Sequence, residues 1–239
     1  MLEIIVFVLL LPFTAFASLF ISRKKEYTTN SRFYRGLLYL YTWLAMRILR
    51  VKVEVKGMEK IPPNTRFLLV GNHRSNFDPI LTWQVFKSYD LAFISKPSLF
   101  KIPIFGRIVN RCCFMPIDRE NPRNAVKTVN RASDLIKANE VSVAVYPEGT
   151  RNKDNKGLLP FHNSIFKIAQ KANVPIVIMG IDGTEAIRRR TPWRKSIVKM
   201  EILDVLNIES VKAMKTSEIG DIFKDKLTDY ILKQQEEIK

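Results

Sequence analysis

Residues 66–80 read RFLLVGNHRSNFDPI, and the way this stretch divides decides the fold. Its first half, RFLLVGNH (66–73), is a short apolar run closing on a glycine and polar residues, the pattern of a buried strand running into a turn. The chain then enters DPILTWQVFK (78–87), which predicts a helix with Asp78 as N-cap and Pro79 at the first helical position, where a missing N–H costs nothing. Between strand and helix lie His73, one of only two histidines in the chain, and Asp78, five residues further on. On one reading His73 is a general base. Imidazole accepts a proton at physiological pH, and a carboxylate on its other nitrogen fixes the tautomer and stabilises the imidazolium. On the other reading His73 is a loop residue and Asp78 only caps a helix. The stretch alone leaves both open.

The rest of the chain repeats the strand-to-helix alternation. VKVEVKGME (51–59), LAFISK (91–96), VSVAVYPEG (141–149), VPIVIMGI (174–181) and IVKMEILDVLNI (197–208) read as strands. PRNAVKTVNRASDLIKANE (122–140), NSIFKIAQKANV (163–174) and TSEIGDIFKDKLTDYILKQQ (216–235) carry helical spacing. This predicts an α/β fold, a mixed central sheet flanked by helices, with one soluble domain over residues 51–239.

Residues 1–50 differ. Nineteen uncharged residues, IIVFVLLLPFTAFASLFIS, separate Glu3 from Arg23. As a helix they reach roughly 28 Å, close to the thickness of the hydrocarbon core. The segment reads as a membrane anchor that either spans the bilayer or lies in it. Arg23, Lys24 and Lys25 follow at once, which places the rest of the chain on the cytoplasmic side. SRFYRGLLYLYTWLAMRILR (31–50) is too short in its uncharged part to span and suits a helix at headgroup level, with Arg32, Arg35, Arg47 and Arg50 on one side reaching phosphates. Together they predict an N-terminal membrane-docking helical hairpin. The balance of 39 Lys+Arg against 23 Asp+Glu, formally +16, favours an anionic partner. The anionic bilayer is the natural one. RRRTPWRKSIVK (188–199) reads as a further bilayer contact, with no recognisable nucleic-acid recognition module to claim it. The two cysteines, Cys112 and Cys113, are adjacent, which implies no disulfide framework and no zinc-type ligand spacing.

The chain has no G-x-S-x-G elbow, Walker A loop or G-x-G-x-x-G. A covalent serine mechanism or a nucleotide cofactor therefore has no home, and no cofactor is expected. Two further stretches can hold phosphate. In YPEGTR (146–151), Gly149 allows a tight turn, and Thr150 and Arg151 suit an oxyanion; the plain alternative is a turn with a surface arginine. In SKPSLFKIPIFGRIVNRCCFMPIDR (95–119), basic residues alternate with apolar ones, as a phosphate-lined channel or a solvated basic face.

These three stretches, in this order and spacing, resemble the glycerolipid acyltransferase family, most closely the 1-acylglycerol-3-phosphate acyltransferases. NHRSNFD matches N-H-x4-D, KPSLFKIPIFG followed by IDR matches the second block, YPEGTR matches F-P-E-G-T-R, and VPIVIMGI resembles the fourth. The resemblance covers roughly residues 50–205. It implies an O-acyltransferase in which His73 deprotonates the sn-2 hydroxyl of lysophosphatidate, Asp78 orients His73, and the thioester of acyl-CoA or an acyl carrier protein is the donor. Phosphatidate is the product. It implies further that Arg119, Glu148, Gly149, Thr150 and Arg151, with Lys96 as a further contact, hold the glycerol-phosphate head. Glycerol-3-phosphate or another lysophospholipid is the alternative acceptor, and a non-catalytic lipid-binding protein is the rival class. The chain departs from the family pattern at His162, where a lysine is usual, at Ile178, where a proline is usual, and at Cys113, often a glycine.

Overall fold

The apolar runs assemble, among the described residues, into one seven-stranded mixed sheet, which runs from edge to edge through residues 51–56, 196–206, 176–182, 68–71, 142–145, 91–95 and 115–116. The computed structural model describes residues 2–118, 121–152, 157–191 and 193–236. In chain order its elements are α1 (Leu2–Ser18), α2 (Arg32–Ile48), β1 (Val51–Lys56), β2 (Leu68–Gly71), α3 (Phe77–Val85), β3 (Leu91–Ser95), α4 (Pro97–Lys101), α5 (Phe105–Arg111) and β4 (Met115–Pro116). They continue with α6 (Pro122–Lys137), β5 (Ser142–Val145), α7 (Lys167–Ala172), β6 (Ile176–Asp182), α8 (Ile187–Arg190), β7 (Ser196–Leu206), α9 (Ile208–Ala213) and α10 (Thr216–Glu236).

Strand β2 sits in the middle, parallel to β5 on one side and β6 on the other. β6 and β7 pair antiparallel, and the other pairs are parallel. The parallel centre is covered on both faces, so β2 and β5 are buried throughout and read as unbroken apolar runs. β7, towards the edge, alternates buried with more exposed positions. Each predicted strand is present but shorter than its apolar run. The runs extend into the turns at the carboxyl ends of the strands, where NH, K and YPEG stand.

Those carboxyl ends face the loops that follow β2, β3, β5 and β6, the usual ligand side of such sheets. Gly71 closes β2 because a Cβ there would come within 2.9 Å of Met179 Cε and 3.5 Å of Tyr146. On β6, Gly180 is pressed by Tyr230 of α10, so neighbouring positions of one strand face opposite layers.

The N-terminal pair forms an antiparallel hairpin. Thr14 Oγ1 meets Tyr41 Oη at 2.6 Å, the Tyr34 hydroxyl donates to Ala17 O at 2.8 Å, and Arg47 reaches Glu3 at 3.3 Å. Helix α1 turns most of its side chains outward; only Thr14, Ala17 and Ser18 are buried. At 17 residues it is shorter than its uncharged run, and no helix among the described residues is long and apolar enough to cross a membrane.

One expectation for α2 is corrected. Arg35 does not reach towards headgroups. It is buried, donates to Leu91 O at 2.8 Å and to Asn30 Oδ1 at 2.9 Å, and lies over the Trp83 ring. Helical phase alone put it beside Arg32 and Arg47, but the hairpin rests on the sheet layer, and Arg35 is the tie.

Candidate active site

The loop from β2 to α3 brings His73 and Asp78 together. His73 Nδ1 lies 2.8 Å from Asp78 Oδ2, which also accepts the Arg74 N–H at 2.7 Å and the Ser75 N–H at 2.8 Å. The other oxygen, Oδ1, accepts the Thr184 hydroxyl at 2.5 Å. Backbone amides only donate, so Oδ2 is an acceptor and Nδ1 carries the ring proton. Nε2 keeps its lone pair. Asp78 is fully buried, and its four bonds replace the water it has lost. His73 remains partly open, at 18% side-chain exposure.

The predicted N-cap is corrected here. Helix α3 starts at Phe77, so Asp78 lies in its first turn. Its carboxylate bends back to the amides that precede it instead of capping those that follow. A negative group in a helix first turn is still favoured by the dipole, and the same geometry delivers an oxygen to His73.

Behind the histidine, Tyr146 stacks on the imidazole with centroids 4.5 Å apart and planes 14° from parallel. Burial, and then the Asp78 charge, push the Tyr146 phenol well above its ordinary range, so it stays protonated and holds Thr82 at 3.2 Å.

The segment after β5 grips the histidine's backbone. Glu148 Oε1 accepts the His73 N–H at 2.9 Å, Oε2 accepts the Leu159 N–H at 3.2 Å, and the Asn152 N–H donates to His73 O at 2.7 Å. The Glu148 side chain is buried, and burial raises its carboxyl above the usual range against the pull of those bonds. Gly149, at φ +70°, makes the left-handed turn that lets the chain double back.

Of the residues expected from sequence, His73, Asp78, Glu148 and Gly149 form one connected, mostly buried cluster. Thr150 and Arg151 follow it at the surface, and Lys96 is exposed at the end of β3. Arg119 lies outside the described residues. His162 is exposed, with its N–H donating to Pro147 O at 3.0 Å, which keeps it beside the YPEG turn. The basic stretch before β4 is in part neither channel nor solvated face: Arg107 donates to Ser18 O at 3.0 Å and Arg111 to Thr29 O at 2.7 Å, holding the N-terminal segment down. A cavity of about 840 Å³ lies farther along, between α6, β4 and residues Glu26 and Thr28, with carboxylates and cations mixed in its lining.

Sequence reasoning gave no role to Tyr146, Thr184 or Arg74. Arg74 pairs with Asp182 at 2.8 Å and Glu185 at 3.3 Å, pinning the turn that carries Thr184. Tyr146 stands inside a quoted motif, so a signal existed for it. Thr184 lies 106 residues from Asp78, and no local pattern marks it. The cysteines stay out of the chemistry: burial pushes the Cys112 thiol up to about 12 and raises Cys113 as well. Cys113 sits at φ +64°, the conformation that explains why glycine suits this position.

Comparison with known proteins gives the family and the fold. The acyltransferase family profile matches residues 52–182. The chain is 36% identical over 137 residues to the chloroplastic 1-acyl-sn-glycerol-3-phosphate acyltransferase BAT2 of Brassica napus, an alignment covering 57% of this chain and 39% of that protein. It is 28% identical over 188 residues to the 1-acyl-sn-glycerol-3-phosphate acyltransferase of Haemophilus influenzae, covering 79% and 78% of the two chains. The chain thus spans well under half of the Brassica protein and most of the bacterial one. The crystal structure of the 1-acyl-sn-glycerophosphate acyltransferase PlsC from Thermotoga maritima shares the fold, with a TM-score of 0.70 at 23% identity over 98% of this chain and 95% of that one.

Proposed function

Because this chain belongs to the acyltransferase family, we propose that it moves an acyl chain from a thioester, acyl-CoA or acyl carrier protein, to the sn-2 hydroxyl of lysophosphatidate, giving phosphatidate. The observation that carries this reading is the His73–Asp78 pair, with Nδ1 committed to the carboxylate and Nε2 left as the base. His73 Nε2 takes the hydroxyl proton as that oxygen bonds to the thioester carbonyl carbon. The tetrahedral intermediate then collapses, the C–S bond breaks, and the imidazolium returns its proton to the departing thiolate. Asp78 stabilises the imidazolium between these events, and no acyl-enzyme forms. Holding both substrates together supplies the remaining advantage. Lysophosphatidate as acceptor is supported by the names of the Brassica and Haemophilus relatives.

In this reading Lys96, Arg119, Thr150 and Arg151 meet the glycerol-phosphate head. Glu148 and Gly149 act on it indirectly, by shaping the turn that presents Thr150 and Arg151. Residues 1–50 dock the catalytic domain, 51–239, onto the cytoplasmic face of the bilayer. The support is an apolar surface made by Leu2, Leu9 and Phe16 of α1 and by Phe20 just after it, each more than half exposed.

The test is a panel of acceptors. Detergent-solubilised protein is given acyl-CoA or acyl carrier protein thioester with lysophosphatidate, glycerol-3-phosphate or lysophosphatidylcholine, and thiol release and product mass are followed. Fastest turnover is expected with lysophosphatidate. A faster rate on another acceptor would reassign the substrate, and no turnover with any donor would overturn the enzymatic reading in favour of a lipid-binding protein.

A further inference from the structure

The site leaves unused a cationic segment that starts where its own scaffold ends. The turn carrying Thr184 runs into α8, anchored by the buried Ile187, and then exposes Arg188, Arg189, Arg190, Trp193, Arg194 and Lys195. Trp193 is 84% exposed, the most exposed large apolar side chain among the described residues. Among the described residues no carboxylate forms an ion pair with any of these five cations, and only Lys195 feels one, Glu54, through its charge. Like charges this dense repel one another in water, and an indole left in water forgoes its apolar burial. Both costs vanish at an anionic lipid surface, where indoles sit at headgroup level and each Lys or Arg is attracted.

The segment is joined to the N-terminal hairpin. Arg50, one turn beyond Arg47, donates to Trp193 O at 3.0 Å, and Arg47 in turn pairs with Glu3 at the start of α1. Trp193 therefore adjoins the end of the hairpin at which the exposed Leu2, Ile4 and Ile5 lie. That continuity with an apolar, outward-facing surface favours a bilayer over a soluble polyanion.

We propose that Arg188, Arg189, Arg190, Arg194 and Lys195, with Trp193, form a second bilayer contact selective for anionic lipid, distinct from the apolar contact of α1. The apolar face of α1 supplies affinity for any bilayer, and this segment adds a reading of lipid charge to that of the exposed Arg23, Lys24, Lys25 and Arg32. The contact is independent of which acceptor is acylated, because it concerns binding without turnover.

The experiment measures partition of the full-length protein, without substrates, onto phosphatidylcholine vesicles and onto phosphatidylcholine vesicles containing phosphatidylglycerol. The native protein is expected to prefer the anionic vesicles. Arg188→Gln/Arg189→Gln/Arg190→Gln should lower that preference on the order of a hundredfold, given the attraction each cation contributes, while binding to neutral vesicles is unchanged. A control that removes three lysines elsewhere, Lys212→Gln/Lys215→Gln/Lys224→Gln, should keep the preference. Trp193 emission should shift to the blue on anionic vesicles, read as the difference between native protein and Trp193→Phe. No preference in the native protein, equal losses in both triple variants, or tighter binding of the segment to a soluble polyanion such as heparin than to anionic vesicles would each overturn the proposal.

Discussion

The β2–α3 loop and helix α1 break the ordinary inside–outside rule in opposite directions. The loop buries a carboxylate and surrounds it with donors: an imidazole, two backbone amides and a hydroxyl. Helix α1 does the reverse, turning leucines, isoleucines and phenylalanines to the outside and burying Thr14 and Ser18. Each arrangement costs free energy in a protein that only had to fold in water. The pairing suits the proposed acyl transfer to a bilayer-borne substrate, with the chemistry turned in and the apolar surface turned out.

If the buried carboxylate is the orienter, Asp78→Asn should give the largest effect short of removing the base itself. An amide there carries no charge to stabilise the imidazolium, and whichever way it turns it sets an NH2 donor against the Thr184 hydroxyl or against the three donors that converge on Oδ2. Turnover should fall on the order of 10²–10⁴-fold, by analogy with triad aspartates, as measured by thiol release. A loss under tenfold would show that the buried cluster is scaffold and not machinery.

Next in size is the tie between the two regions. Arg35→Ala leaves Leu91 O and Asn30 Oδ1 without their donor inside the protein. It should cost about 3 kcal/mol, seen as a melting temperature lower by roughly 10 °C. An unchanged melting temperature would mean that the hairpin and the sheet are stable independently of each other.

Thr184→Val removes one bond to Asp78 and keeps the side chain's volume. About tenfold loss in turnover is expected from a bond to a charged group of this kind, with Thr184→Ser restoring the rate. Thr184 acts through Asp78, so its loss should lower kcat and leave KM in place, with the melting temperature nearly unchanged.

The smallest expected effect is none at all. The Cys112 thiol, pushed up to about 12 by burial, stays protonated across neutral and mildly alkaline pH. Maleimide should neither label nor inactivate the folded protein, and should label both cysteines after unfolding. Inactivation of the native protein would reopen a covalent thiol route.

Much of this was legible in the sequence because the information is local. The α/β alternation follows from apolar runs broken by turn residues, and N-H-x4-D sets His73 and Asp78 at the two ends of one short connection. What sequence reading lost is non-local or directional. Arg35 had the helical phase of an outward residue, and only the packing of α2 on the sheet makes it buried. Asp78 had every mark of an N-cap, and the direction in which its carboxylate turns depends on the loop amides behind it. Thr184 and the backbone grip of Glu148 on His73 join segments 106 and 75 residues apart, which no periodicity connects. The grip explains why a glutamate stands between Pro147 and Gly149 in a stretch that otherwise suits phosphate.

The most direct test of the central claim is thiol release from acyl-CoA in the presence of lysophosphatidate by His73→Ala, followed beside its thermal unfolding. The account predicts a fall of at least ~10³-fold in a variant that unfolds with the same cooperative transition, because the imidazole is partly open and Asp78 retains three other donors. A His73→Ala variant that folds and turns over at the native rate would contradict it.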